Sequence, residues 1–116
     1  MPKFMLFLHE DQGQFDSRSH DEMMRIIQEY SAWAEKLRVA GRLAGGEKLT
    51  DDPGRVLRPG KPKFSVTDGP YTESKEIVGG FFTVVAADYD EACSLAADCP
   101  HLTYGGRIEV RMVHEF

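Results

Sequence analysis

The densest group of ionisable side chains in this protein lies in one short segment. Asp68, Tyr71, Lys75 and Glu76 occur within nine residues, and the chain then continues into the apolar stretch 77–86. A polar turn held in place by a buried strand is a common setting for binding or catalytic groups. Asp68 could transfer protons, and Tyr71 and Lys75 could bind a substrate. This turn is therefore the first candidate for a functional site.

The same turn also has a purely structural interpretation. Asp68 can accept hydrogen bonds from the backbone N–H groups that follow it, Gly69 permits unusual dihedral angles, and Pro70 stiffens the chain. For Gly69 and Pro70 we expect only this structural role. Asp68 is a candidate for either role.

Two histidines are candidate partners for Asp68 in proton transfer. His9 ends the first predicted strand and precedes two acidic residues, a setting in which a histidine can act as an acid or a base. His101 could reach a site formed at the end of the second predicted helix. Each could also be an ordinary hydrogen-bonded side chain. The sequence does not decide which histidine pairs with Asp68.

The last predicted strand supplies two further candidates. Glu109 and Arg111 share one face, and Ile108, Val110 and Met112 share the other. If the apolar face meets the helices, the two charges point away from them. They could form an ion pair, within one subunit or between two, because buried charges are costly unless paired. Alternatively, Arg111 could hold an anionic substrate by forked hydrogen bonds, with Glu109 beside it.

Several kinds of site are not expected. No histidine pair with zinc-like spacing and no Cys-x-x-Cys occurs, so we expect no metal, and an assembled site of His9, Asp68 and His101 is the alternative. No phosphate loop, nucleophile elbow or dinucleotide fingerprint occurs, so we expect no cofactor. The two cysteines, Cys93 and Cys99, fit small core residues.

Composition narrows the possible partners and the location. Lysine and arginine number 14 against 19 acidic residues, and the net charge of −5 gives no attraction to nucleic acid. No apolar run is long enough for a membrane helix, and the N-terminal segment lacks the features of a signal peptide. We therefore expect a cytoplasmic protein that binds neither nucleic acid nor membranes.

The hydrophobic pattern predicts one α+β domain over residues 1–116 with a ferredoxin-like split βαβ order. A capping box at Ser19 and Glu22 begins a long helix that ends at Gly41, and Asp88 begins a shorter helix that Pro100 ends. The predicted strands span residues 3–9, 43–49, 56–57, 63–67, 77–87 and 107–116. A polar loop covers 10–18, and residues 50–62 form an exposed excursion.

One face of this sheet is expected to need a partner. Both helices must cover the same face, and the residues left on the other face of 3–9 and 77–87 are too apolar to face water. We therefore predict a homodimer in which two sheets face each other in a barrel-like arrangement.

The sequence also resembles the YCII-related proteins, in the branch named for its Asp-Gly-Pro-Phe (DGPF) motif. The matching segments lie throughout the chain, and Tyr71 stands where the motif has phenylalanine. They are residues 30–37, 41–43, 66–71, 73, 75–76, 79–81, 88–92, 99–101 and 105–111.

The resemblance implies a dimeric α+β barrel, in agreement with the pattern. It also implies an active centre made of a histidine and an aspartate, here Asp68 with His9 or His101, acting on an unknown small molecule. Members of the branch are associated with extracytoplasmic-function sigma factors, which implies the alternative of a non-catalytic regulatory module. The substrate and the reaction do not follow from the sequence.

Overall fold

The structure, a computed structural model, describes residues 1–11, 13, 17–68 and 76–116. Its elements in chain order are β1 (Lys3–Asp11), α1 (His20–Val39), β2 (Leu43–Lys48), β3 (Arg55–Pro59), β4 (Phe64–Asp68), β5 (Glu76–Val85), α2 (Tyr89–Ala97), α3 (Pro100–Thr103) and β6 (Arg107–Met112).

Four strands form an antiparallel sheet in the order β2-β5-β1-β6, and β3 and β4 form a separate hairpin. With the hairpin treated as an insertion, this is the ferredoxin-like order. The predicted α+β fold of ferredoxin-like order is confirmed, and its sheet is antiparallel.

The core lies between one face of the sheet and the helices. Alternate residues of β1, Phe4, Leu6 and Leu8, point toward the helices and are almost completely buried. On α1, Trp33 packs edge-on against Phe82 of β5, with ring centroids 4.9 Å apart. Every second side chain of β1 and the side chains on one face of α1 thus pack together in a single apolar layer.

Both predicted helix starts are confirmed. The Ser19 hydroxyl accepts a hydrogen bond from the Glu22 N–H at 3.1 Å, and Asp88 Oδ1 accepts one from the Glu91 N–H at 2.9 Å. These bonds satisfy N–H groups that have no partner within the first turn. The apolar side chains of α1 are not all in the core, because Ile27 is half exposed whereas Ile26 beside it is buried.

Two predicted boundaries were wrong. Pro100 does not end α2, which stops at Ala97; it begins the one-turn helix α3, where proline is tolerated because the first N–H needs no partner. The last strand ends at Met112 rather than at residue 116. Met112 pairs with Phe4, and the Val113 N–H still donates to the Lys3 carbonyl, but β1 begins at Lys3 and offers no further residues to extend the ladder to residue 116.

The opposite face of the sheet, which we call the open face, carries the strand residues that alternate with those of the core. Phe7 pairs with Phe81 and Met5 with Thr83, and all four side chains are only partly buried. Glu109 and Arg111 of β6 lie opposite Phe7 and Met5 on the same face. The open face therefore combines an apolar centre with charges along β6.

The hairpin of β3 and β4 extends away from the sheet. The radius of gyration is 16.1 Å, against about 13 Å for a compact chain of this length. Leu57, Phe64 and Val66 on this hairpin are about half exposed or more. Among the described residues, no helix is sufficiently long and apolar to span a membrane.

Candidate active site on the open face of the sheet

His9 lies at the centre of a polar cluster on the open face. Its Nδ1 is 3.0 Å from Glu76 Oε1 and its Nε2 is 2.9 Å from Glu109 Oε1. The three residues come from adjacent strands, β5, β1 and β6. Both ring nitrogens thus face a carboxylate, an arrangement in which an imidazolium donates two hydrogen bonds.

Strand pairing explains why these side chains meet. His9 lies opposite Arg107 on β6, and Glu109 follows two residues later on the same face. On the other side, the register between β1 and β5 shifts at His9, where Gly79 is an extra residue in β5. A bulge of this kind changes the direction of nearby side chains. Beyond it, Glu76 at the start of β5 reaches the imidazole.

Two arginines complete the cluster. Arg107 Nη2 lies 3.1 Å from Asp11 Oδ1 and 3.3 Å from Glu76 Oε2. Arg111 Nη1 lies 3.4 Å from Glu109 Oε2, and its side chain is largely exposed. These acidic side chains of β1, β5 and β6 thus each lie next to an arginine of β6. Arg111 keeps most of its guanidinium free to meet an anionic group in solution.

The cluster has the features of a site for proton transfer. The His9 side chain is 22% exposed, so a ligand on the open face can reach it. The hydrogen bond with His9, and secondarily the one with Arg111, lowers the pKa of Glu109. Glu109 therefore stays ionised and can orient the ring as a hydrogen-bond acceptor.

A cleft adjoins this cluster. Its volume is about 460 Å³, and it is lined by residues 49–54, Val56 and residues 76–78. Glu76 belongs both to the wall of the cleft and to the His9 cluster. A volume of this size falls in the range of small-molecule sites.

His101 lies on the opposite side of the sheet, within the helix-covered layer. It is 2% exposed, its Nδ1 is 2.7 Å from the Tyr30 hydroxyl, and its Nε2 is 2.7 Å from the His9 carbonyl oxygen. Because the carbonyl can only accept, Nε2 carries the proton, and Nδ1 accepts from Tyr30. Burial lowers the pKa of His101, which favours this neutral form.

Asp68 lies elsewhere. It is the last residue of β4, its side chain is mostly exposed, and Asp68 Oδ1 lies 3.2 Å from Arg55 Nη1 on the neighbouring strand. Among the described residues, neither histidine is a hydrogen-bond or ion-pair partner of Asp68. Tyr71 and Lys75, the other candidates from this turn, lie outside the described residues.

Of the residues predicted from sequence, the structure thus brings His9, Glu109 and Arg111 together. Sequence reasoning did not find the pairing of Glu76 with His9 or the part played by Arg107. Arg107 shares the strand face of Glu109 and Arg111, a signal that could have indicated it. In the described ranges, no group of three or more His, Cys, Asp or Glu side chains could hold a metal ion.

The fold and this cluster define an α+β protein of ferredoxin-like topology with a histidine-centred polar site on the open sheet face. The chain belongs to the YCII-related family, since residues 3–116 match the YCII-related domain.

Two known proteins are similar to this one over nearly the whole chain. An uncharacterised protein of Rhizobium meliloti (strain 1021) is 29% identical over 110 residues, which cover 93% of this chain and 89% of that protein. A solved structure of 5-chloro-2-hydroxyhydroquinone dehydrochlorinase (TftG) from Burkholderia phenoliruptrix AC1100, in complex with 2,5-dihydroxybenzoquinone, is similar with a TM-score of 0.52. It is 19% identical, and the match covers 98% of this chain and 95% of that one. This likeness supports the fold.

Proposed function

We propose that the protein binds a small anionic or carbonyl-containing molecule on the open face and acts on it as an enzyme without metal or organic cofactor. His9 is the acid–base group in this proposal, and Arg111 binds the negative or polarised oxygen of the ligand. The observation that carries the proposal is the position of the His9 imidazole between Glu76 and Glu109, at a face that a ligand can reach.

The two carboxylates give the imidazole its properties. They hold the ring in one orientation, with a carboxylate facing each nitrogen, so that the imidazole can exchange a proton with a ligand on the open face. Glu109 also contacts Arg111, so a ligand oxygen bound by Arg111 would lie close to the ring. The cleft beside Glu76 would hold the rest of the molecule.

Asp68 enters as the second proton-transfer group, as the family resemblance implies, and Tyr71 and Lys75 as further ligand-binding groups. On the same resemblance we assign the chain to the branch with the Asp-Gly-Pro-Phe motif. Since Asp68 contacts Arg55 on the hairpin, its part needs a separate test. Asp68→Asn should leave folding intact and abolish ligand binding; loss of folding would instead identify Asp68 as a turn-building residue.

The enclosing chamber requires a second copy of the chain. We propose a cytoplasmic homodimer in which two open faces meet, because Phe7 and Phe81 would otherwise stay in contact with water. Each sheet would then form one wall of the ligand chamber.

The test is a binding measurement with a defined probe. The similar dehydrochlorinase structure contains 2,5-dihydroxybenzoquinone, an acidic ring with carbonyl groups, so this compound is the first probe. Calorimetric titration of His9→Gln and Arg111→Gln should show affinity at least about tenfold weaker than wild type, since hydrogen bonds to charged groups contribute about 1.5–3 kcal/mol. His114→Gln, at an exposed position, is the matched control.

The same variants should also be screened by thermal shift against small hydroxylated and carboxylated carbonyl compounds. A ligand that binds wild type, His9→Gln and Arg111→Gln equally well would rule out the open face as its site.

A second candidate function rests on the hairpin. Its exposed side chains Leu57, Phe64 and Val66 form an apolar surface suited to a protein partner. In this alternative the protein is a non-catalytic regulatory module that binds an extracytoplasmic-function sigma factor. Co-purification with such a sigma factor that Leu57→Asp abolishes and His9→Gln leaves unchanged would favour it.

A further inference from the structure

The contact between His101 and the backbone of His9 joins the buried layer to the open face. His101 Nε2 donates to the His9 carbonyl at 2.7 Å, and Tyr30 donates to His101 Nδ1 at the same distance. The His9 side chain points the other way, toward Glu76 and Glu109. One residue of β1 thus receives a hydrogen bond from the core through its backbone and presents its side chain to the candidate site.

The hydrogen bond from His101 to the His9 carbonyl lies at an irregular point of the sheet. The register between β1 and β5 shifts between Leu8 and His9, so the regular ladder is interrupted where the catalytic candidate lies. A bulge leaves the local strand direction less constrained by pairing. A donor fixed at the His9 carbonyl restores that constraint, because the orientation of the peptide plane sets the direction of the adjoining Cα–Cβ bond.

The residues around His101 leave space for its ring close to the backbone of Gly106. A Cβ added at Gly106 would lie only 2.2 Å from His101 Nε2, so the ring occupies space that any other residue would fill. The Gly106 N–H donates to the His101 carbonyl at 2.9 Å, which holds the backbone of α3 against the start of β6. The imidazole is therefore held from both of its nitrogens and through its own backbone.

From this geometry we infer that His101 is a positioning residue. Through its Nε2–H it fixes the backbone of His9 so that the His9 imidazole stays between Glu76 and Glu109. Tyr30 supports this role by holding His101 in the tautomer that can donate. The inference rests on the proposed function of His9. It adds that a residue on the opposite side of the sheet, His101, sets the orientation of the His9 imidazole.

The test compares two amide replacements of the same residue. The side-chain nitrogen of His101→Gln can occupy the place of Nε2 and donate to the His9 carbonyl. In His101→Asn the amide nitrogen corresponds to Nδ1 and does not reach it. The readout is the pair of His9 imidazole ¹⁵N chemical shifts in the full-length ligand-free protein at one pH, assigned by their loss in His9→Gln.

The expected result is that His101→Asn moves or broadens the His9 signals, while His101→Gln keeps them near the wild-type positions. A role in space filling alone predicts no difference between the two variants. Unchanged His9 signals in His101→Asn, or equal changes in both folded variants, would overturn the inference.

Tyr30→Phe provides a second test should His101→Asn not fold. It removes only the hydroxyl, so His101 can take the other tautomer, and the His9 signals should move in part of the molecules. A shifted His101 tautomer with His9 signals at the wild-type positions would refute the coupling. These measurements need no ligand, so their outcome is separate from the binding experiment that judges the function of His9.

Discussion

Glu76 and Glu109 lie on the two strands that flank β1, and each places one carboxylate oxygen about 3 Å from a different nitrogen of the same imidazole. The ring between them, that of His9, is thereby held on both sides. Two carboxylates around one histidine differ from a single histidine–aspartate pair, because each ring nitrogen then has its own hydrogen-bond partner. This relationship is the basis for treating the open face as the candidate active site.

The proposed dimer predicts that a charge at the centre of the open face separates the subunits. Phe7→Asp should convert a dimer to a folded monomer, since each apolar side chain removed from an interface of this kind costs about 1.5–3 kcal/mol and an unpaired buried charge costs more. Light scattering at micromolar concentration measures the mass. Leu57→Asp on the hairpin is the control for an exposed apolar residue, and a wild-type protein that is monomeric would contradict the dimer.

Burial of His101 predicts a pH dependence of stability. Its folded-state pKa lies below the ordinary value of 6.5 because burial disfavours the charged ring. The unfolded state therefore binds the proton first, and the contribution of His101 to stability is present above pH 6.5 and falls as the pH decreases toward the folded-state pKa.

Urea unfolding of wild type and His101→Gln between pH 7.5 and 5 checks this expectation. The wild-type free energy of unfolding should fall more steeply with decreasing pH than that of the variant. His114→Gln, which removes an exposed histidine, should keep the wild-type slope. Parallel curves for wild type and His101→Gln would mean that His101 titrates alike in both states.

Two glycines in the sheet region are expected to respond differently to alanine. At Gly106 the added Cβ would meet the buried His101 ring at 2.2–2.5 Å, and the ring cannot move without losing its hydrogen bonds. Overpacking of this kind costs about 1–3 kcal/mol. At Gly79 the Cβ would meet the end of the flexible Glu10 side chain, which can turn away.

Gly106→Ala should therefore lower the free energy of unfolding by clearly more than Gly79→Ala, as measured by urea denaturation of both variants in parallel. Equal losses would show that the fixed His101 ring is not the source of the cost.

The two cysteines should differ in reactivity. Cys93 is exposed on α2, whereas Cys99 is buried, and burial raises the pKa of its thiol to about 11. Since the thiolate is the reactive form, a disulfide reagent should modify Cys93 quickly and Cys99 only as the protein unfolds. Thiol titration with and without denaturant measures this, and Cys93→Ser should remove the fast phase. A fast phase that persists in Cys93→Ser would show that Cys99 is accessible.

Local chemistry in the sequence was sufficient for most of the fold. The capping residues Ser19 and Asp88 marked the starts of α1 and α2, and the alternation along residues 107–112 identified the face that carries Glu109 and Arg111. These signals are short-range, because a cap or a strand period involves only neighbours along the chain. The order of elements then restricted the topology to the ferredoxin-like arrangement.

The partners of each functional group depended on the tertiary structure. His9 and His101 looked alike as candidates in the sequence, yet the sheet places one imidazole on the open face and the other in the buried layer. The extra residue Gly79 shifts the register that brings Glu76 to His9, and Asp68 pairs with Arg55 because the hairpin forms its own ladder. A register is a property of two strands that are distant in sequence, so one residue of shift changes every contact across them without changing the pattern within either strand.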